Sequence, residues 1–130
     1  MYETTTANVR VRVRPEYLED HSEPAKGRYF WAYHIEIANE GDRTVQLLSR
    51  YWRITDAFGR AEEVRGPGVV GKQPVLRPGE SFEYSSGAPL PTASGFMVGR
   101  YQMVREDGER FEIDIPAFSL DSPWSAQSIH

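Results

Sequence analysis

The sequence predicts an all-β protein, built as a single antiparallel β-sandwich of the immunoglobulin or fibronectin type III kind. Three observations support this prediction. Apolar residues alternate with polar ones at a period of two along several segments, which is typical of strands with one buried face. Glycine- and proline-rich turns separate these segments, and no segment shows a helical period. A small β-barrel is the structural alternative.

The first two predicted strands carry the clearest alternation. Val9, Val11 and Val13 alternate with three arginines, so the valines share one face and the arginines the other. The next strand, residues 29–37, places five large side chains on one face: Tyr29, Trp31, Tyr33, Ile35 and Ile37. The polar segment from Tyr17 to Lys26 is predicted to be a solvated loop between these strands.

Turn signals divide the rest of the chain into shorter strands. Residues 39–42, Asn-Glu-Gly-Asp, predict a hairpin turn that leads into a return strand over residues 44–55. Residues 56–60 form a second predicted turn, and Glu-Asp-Gly-Glu at 106–109 is a strong hairpin signal. The remaining predicted strands cover residues 61–65, 81–85, 95–104 and 110–115.

Length, charge and cysteine content limit the classes of protein. A chain of 130 residues suits one domain, which we expect to span residues 1–123, with residues 124–130 as a flexible C-terminal tail. The absence of cysteine excludes disulfides and thiolate chemistry. A net charge of −4 gives no general attraction to nucleic acid or to an anionic membrane. No apolar run reaches the length of a membrane span, and we expect a cytoplasmic protein.

One glycine-rich segment raises the question of nucleotide binding. Residues 66–71 match the pattern G-x-G-x-x-G, but Pro74 and Pro78 follow and exclude the helix that a dinucleotide site needs. The segment is therefore expected to join two strands. It either serves as a structural turn or forms an anion-binding nest. The candidate anion-binding residues are Arg65, Gly66, Gly68, Gly71 and Lys72.

Two further groups of residues are candidates for contact with a partner. Arg50, Trp52 and Arg53 could stack on a base or hold a phosphate, although such a tryptophan more often belongs to the core. Arg10, Arg12 and Arg14 lie on what would be a terminal strand, where they could recruit an acidic partner. The alternative for these three arginines is a solvated outer face.

No catalytic, metal or cofactor site is predicted. The three histidines, His21, His34 and His130, show no ligand spacing with one another. His34 is expected to face away from the aromatic stripe of its strand and to make ordinary hydrogen bonds. No serine, histidine and aspartate have the sequence spacing of a known catalytic triad. Residues of such a triad can also come together only in the folded chain, which sequence spacing does not show.

Four blocks of sequence resemble the bacterial ApaG family, also called CorD. They cover residues 47–56, 64–71, 73–87 and 95–101, and the resemblance extends over roughly residues 1 to 123. It implies a fibronectin type III-like sandwich. The family is associated with cobalt and magnesium resistance and with diadenosine tetraphosphate levels. Similar domains within larger eukaryotic proteins look like interaction modules.

The sequence therefore predicts a non-enzymatic binding or interaction module that has a protein partner and no cofactor. The resemblance to the ApaG family implies a link to divalent-cation resistance. A phosphate- or nucleotide-binding protein that uses residues 66–71 is the first alternative. A hydrolase of dinucleoside polyphosphates is a more distant one. Neither nucleic-acid nor membrane binding is expected. The sequence does not determine the oligomeric state, and a homodimer is one possibility.

Overall fold

A computed structural model describes residues 1–124, so all but the first residue of the predicted tail 124–130 lie outside the described residues. Nine strands account for most of the chain. They are β1 (Tyr2–Thr6), β2 (Val9–Tyr17), β3 (Tyr29–Asn39), β4 (Val45–Asp56), β5 (Ala61–Pro67), β6 (Val75–Leu76), β7 (Ser81–Leu90), β8 (Ser94–Arg105) and β9 (Arg110–Asp121). The helical elements of the described chain are two single 3-10 turns, Glu19–His21 and Pro24–Lys26.

The strands form two antiparallel sheets. One sheet has the order β1-β2-β3-β7, and the other has the order β5-β4-β8-β9 with the short β6 also paired to β4. The two sheets face each other across one core, which confirms the predicted β-sandwich. Within residues 1–124, no helix has the length and apolar character that a membrane span requires.

The core is built from the faces that the alternation predicted. Val9, Val11 and Val13 of β2 are almost completely buried, as are the inward-facing residues of β3 from Trp31 to Ile37. The second sheet contributes an aromatic centre, where the ring of Trp52 meets Tyr33 and Phe118 edge-on at centroid distances of 5.3 and 5.9 Å. Edge-to-face packing of this kind adds to the free energy gained by burying the rings.

The first strand was not predicted from the sequence, and it changes the position of β2. Ala7 and Asn8 both have positive φ and form a two-residue turn that pairs β1 with β2. β2 therefore lies between β1 and β3. The expectation that Arg10, Arg12 and Arg14 lie on a terminal strand is wrong. The edge strand of this sheet is β1, which contains the polar Glu-Thr-Thr-Thr segment that precedes them.

The turn at residues 39–42 exists, but it does not close a hairpin. β3 pairs with β2 and β7, whereas β4 pairs with β5, β6 and β8, so the chain crosses here from one sheet to the other. The buried Asn39 fixes the crossing, since its side-chain amide donates to the carbonyl oxygens of Arg43 and Leu76. The turns at residues 56–60 and 106–109 do join paired strands, as predicted.

The segment from Tyr17 to Lys26 is more ordered than the predicted solvated loop. The two 3-10 turns occupy most of it, and neither contains a buried residue. The hydroxyl of Ser22 accepts from the amide of Phe30 and donates to the carbonyl of Leu18. These bonds attach the segment to the start of β3.

Candidate functional site

A bulge in β4 prepares the most distinctive surface of the molecule. The register between β4 and β8 shifts between Leu47 and Ser49, which leaves Leu48 as an extra residue. The carbonyl of Leu48 accepts hydrogen bonds from the amide of Gly68 at 2.8 Å and from the side chain of Gln73 at 2.9 Å. The bulge thereby anchors the glycine-rich segment that follows β5.

That segment folds as a tight hairpin rather than as an open nest. Val69 and Lys72 exchange two backbone hydrogen bonds, and the two residues between them, Val70 and Gly71, have φ of 43° and 78°. Val69 is completely buried. The amides of Gly68, Val69 and Lys72 donate to backbone carbonyls, so these three amides have no proton free for an anion.

Arg50 fastens the same segment from the side. Its Nη1 donates to the carbonyl oxygens of Pro67 and Gly68 at 3.0 and 2.9 Å. A Cβ at Gly66 would lie 2.9 Å from the guanidinium nitrogens, so the glycine leaves the space that the Arg50 side chain fills. Arg50 is therefore engaged within the domain.

Three tyrosines of the sandwich interior lie within the electrostatic influence of Arg50. The hydroxyls of Tyr84 and Tyr101 are 2.5 Å apart and buried. Burial raises the pKa of Tyr33, Tyr84 and Tyr101, and the nearby positive charge of Arg50 partly opposes that rise. All three hydroxyls stay protonated at neutral pH, so they are uncharged polar groups within the sandwich.

A groove with an arginine on each side opens on the outer face of the five-stranded sheet. Tyr51 of β4 pairs in register with Arg65 of β5 and with Arg100 of β8. Both guanidinium carbons lie close to the Tyr51 ring, at 4.7 and 4.8 Å from its centroid. Ser49, Pro67 and Gln102 complete much of the lining, and the groove has a volume of about 440 Å³.

Carboxylates lie at the rim of this groove. Glu63 is 3.3 Å from Arg65, and Glu112 is 4.0 Å from Arg100. The neighbouring Glu63 carboxylate raises the pKa of Tyr51, chiefly through a hydrogen bond to its hydroxyl. Among the described residues that line the groove there is no acidic side chain. Glu63 contacts Nη2 of Arg65 and Glu112 lies near Nε of Arg100, so the other guanidinium nitrogens of these two exposed side chains are available for an acidic ligand.

The structure separates the predicted residues of this region into two groups. Arg65 lies in the groove, and the exposed Arg53 is two residues beyond Tyr51 on the same face of β4. Gly66 is a residue of β5 that also lines the groove, whereas Gly68, Gly71 and Lys72 belong to the hairpin segment. Trp52 is only 2% exposed, so its interpretation as a partner-binding residue is wrong; the outward aromatic residue is its neighbour Tyr51.

Tyr51 and Arg100 were missed by sequence reasoning. The alternation after the bulge carries a signal for Tyr51, since an inward Trp52 requires an outward Tyr51. No local sequence signal indicates that Arg100 lies beside Tyr51. β8 begins about forty residues after Tyr51, and the register between β4 and β8 is set by the sheet as a whole.

The arginines of β2 are engaged with the domain's own carboxylates. Arg10 pairs with Glu40 at 2.5 Å and lies 3.5 Å from Glu36, and Arg12 pairs with Glu3 at 2.6 Å. Glu3 of β1 and Glu36 of β3 are cross-strand neighbours of Arg12, and Glu40 directly follows β3. As a surface for recruiting an acidic partner, Arg10, Arg12 and Arg14 are thus weakened by two internal pairings.

Metal ligands do not converge in the described chain. Among residues 1–124, no group of three or more histidine and acidic side chains could hold a metal ion.

Comparison with known proteins identifies the family. A family model described as the ApaG domain matches residues 19–105. Protein ApaG from Rhodospirillum centenum is 66% identical over 123 residues, covering 95% of each chain. Protein ApaG from Parvibaculum lavamentivorans is 58% identical over the full length of both chains.

Solved structures agree with this result. The structure described as an ApaA protein from Bordetella pertussis has a TM-score of 0.88 at 46% identity, covering 93% of this chain and 98% of that one. The C-terminal domain of wzt has a TM-score of 0.57 at 8% identity, which shows likeness of fold alone. Sequence and structure together show that the chain belongs to the ApaG family.

Proposed function

We propose that this chain is a protein-interaction module that binds an acidic segment of a partner in the groove between Arg65 and Arg100. The observation that carries the proposal is the stacking of both guanidinium groups on one outward-facing tyrosine, in a groove whose neighbouring carboxylates, Glu63 and Glu112, lie at its rim. We place this function in the cytoplasm, which suits a chain without cysteine.

The chemistry of the groove favours a carboxylate-bearing ligand. Stacking on Tyr51 holds each guanidinium plane in place, so less side-chain entropy is lost when a carboxylate binds. Tyrosine and arginine are the residue types that supply much of the binding free energy in protein interfaces. The exposed Phe96 and Val98 on β8 extend the same face with apolar area.

A phosphate or nucleotide ligand is the second candidate function, and the same pair of arginines favours it. Phosphate oxygens accept bidentate hydrogen bonds from guanidinium as carboxylates do. The proposed site then moves from the glycine hairpin to the sheet face, because three of the hairpin amides are already bonded.

Fluorescence anisotropy with a labelled peptide of ten glutamates tests the first function. We expect the double variant Arg65→Glu/Arg100→Glu to weaken binding by at least about tenfold, since a hydrogen bond to a charged group contributes about 1.5–3 kcal/mol and about 1.4 kcal/mol is a factor of ten in affinity. Binding by the unchanged chain should also weaken as salt rises from 50 to 300 mM. Pyrophosphate and diadenosine tetraphosphate, titrated by calorimetry, test the second function.

Arg28→Glu is the matched control, since Arg28 is an exposed arginine that precedes β3 of the other sheet. It should leave the affinity for the glutamate peptide unchanged. Equal affinities for the double variant and the unchanged chain would contradict the groove as the site. Saturable binding of pyrophosphate but not of the peptide would favour the second function.

The link to divalent-cation resistance is part of the same proposal. We expect a strain that lacks this protein to have a growth rate different from that of its parent at raised cobalt concentrations. Expression of the unchanged chain should restore the growth rate of the parent, and expression of the Arg65→Glu/Arg100→Glu variant should not. Full restoration by the variant would separate cation resistance from the groove.

A further inference from the structure

A hydrogen-bonded serine, histidine and glutamate lie on the outer face of the other sheet. His34 of β3 has its Nδ1 2.6 Å from Oγ of Ser85 on β7. Its Nε2 is 2.8 Å from Oε1 of Glu16 on β2. His34 faces away from the aromatic stripe, as predicted, but its bonds join three strands.

One tautomer of His34 satisfies both contacts. If Nε2 carries the proton and donates to Glu16, then Nδ1 has a free lone pair that accepts from the Ser85 hydroxyl. The hydrogen bond from His34 lowers the pKa of Glu16, and the charge of Arg14 acts in the same direction. Glu16 therefore stays ionised and holds the imidazole in this orientation.

The serine is open to a small molecule. A groove of about 460 Å³ is lined by Ser85 and His34, together with Arg12, Arg14 and Glu83. The His34 side chain is 30% exposed. β7 is an edge strand, so Ser85 borders solvent on the side away from β3.

The guanidinium-bearing residue Arg14 lies on the same face of the sheet as Ser85, His34 and Glu16. Arg14 is directly opposite His34 in the pairing of β2 with β3, and it is exposed. The ion pairs found within residues 1–124 do not include Arg14, unlike Arg10 and Arg12. Arg14 and Ser85 line the same groove, so this guanidinium can offset negative charge that develops on a substrate bound there.

From this geometry we propose that Ser85 is a nucleophile that His34 activates and Glu16 positions, and that the site hydrolyses small carboxylic esters. Ser85 Oγ forms a bond to the acyl carbon while its proton passes to Nδ1 of His34. The bond from the acyl carbon to the leaving oxygen breaks, and His34 returns the proton to that oxygen. Water, deprotonated by His34, then attacks the acyl-serine and releases the acid, which restores the serine hydroxyl.

A fluorophosphonate probe tests the nucleophile directly. We expect a single adduct, which peptide mapping by mass spectrometry locates on Ser85. His34→Gln should slow adduct formation about 100-fold, which is the contribution of a general base. Glu16→Ala should also slow it, and Glu16→Gln should recover part of the rate, because its amide oxygen can still accept from Nε2.

Ser81→Ala is the matched control, since Ser81 is exposed on the same face of β7 and has no histidine partner among the described residues. It should label at the rate of the unchanged chain. Equal labelling of Ser81 and Ser85, or an equal rate in His34→Gln, overturns the proposal. Circular dichroism melting checks that each variant is folded.

Turnover is tested with p-nitrophenyl acetate. We expect the hydrolysis rate of Ser85→Ala to fall to the rate given by free imidazole. Ser81→Ala should hydrolyse the ester at the rate of the unchanged chain. Labelled Ser85 without turnover overturns the hydrolytic step. The variant Arg28→Glu should retain labelling and turnover, because Arg28 does not line the groove beside Ser85.

Discussion

Val70 occupies a backbone conformation that branched residues rarely adopt. Its φ is 43°, and its side chain is 54% exposed, so little buried contact offsets the strain. Asparagine followed by glycine is the preferred pair for a two-residue turn with both φ values positive. We expect Val70→Asn to raise the free energy of unfolding by about 1 kcal/mol.

Urea denaturation measures this change as a shifted midpoint at constant m-value. Val75→Asn is the control, because Val75 is equally exposed on β6 but has ordinary strand geometry. A loss of stability in Val70→Asn would show that the valine side chain is needed where it stands.

Two glycines of the hairpin allow backbone strain to be separated from steric conflict. Both have positive φ, but a Cβ at Gly68 would lie 2.3 Å from the carbonyl oxygen of Lys72, whereas a Cβ at Gly71 meets nothing within 4 Å. We expect Gly71→Ala to cost about 1 kcal/mol and Gly68→Ala to cost at least about twice that. Thermal melting of the two variants, compared at equal pH, measures the difference; equal losses would exclude the steric contribution.

At the scale of elements, Arg50 decides whether the glycine hairpin stays on the sheet. Arg50→Met keeps the aliphatic stem but removes the hydrogen bonds to Pro67 and Gly68. We expect a loss of about 2 kcal/mol, since charged donors make the stronger hydrogen bonds. Amide hydrogen exchange within residues 66–73 should become faster, with little change in β2 and β3.

Arg53→Met serves as the control for that experiment. Arg53 lies on the same strand, but it is exposed and faces outward. It should alter neither stability nor exchange in the hairpin. Unchanged exchange at residues 66–73 in Arg50→Met would show that the Leu48 bulge alone holds the segment.

Elements with strong alternation could be predicted from the sequence, and the others could not. β2 and β3 were found because buried large residues recur at every second position. β1 was missed because it is short and mostly polar and pairs along one side only. The bulge at Leu48 was missed because an extra residue depends on the partner strand β8.

For the whole molecule, the buried tyrosines set a limit to stability at alkaline pH. The pKa values of Tyr84 and Tyr101 are raised by burial, so the unfolded chain loses these protons at a lower pH than the folded chain does. Stability is therefore fully present below the ordinary tyrosine pKa of about 10 and falls as pH rises above it.

Thermal melting between pH 8 and pH 11.5 tests this dependence. The melting temperature should be nearly constant up to about pH 9 and should decrease above about pH 10. Tyr84→Phe removes one titrating hydroxyl and should make the decrease less steep. A melting temperature that stays constant to pH 11.5 would contradict the raised pKa values.

Sequence alone was enough to predict the fold class, the buried faces of β2 and β3, the family, and the role of residues 66–71 as a connection between strands. These features follow from local periodicity, from the backbone limits of proline and glycine, and from continuous blocks of sequence. They can be predicted without knowing which strands become neighbours in the sheets.

Both candidate sites depend on the three-dimensional fold. Tyr51 meets Arg65 and Arg100, and His34 meets Glu16 and Ser85, because sheet register places distant strands side by side. A shift of one residue would turn each of these side chains to the opposite face. Register is fixed by the packing of the whole core, so no local stretch of sequence contains it.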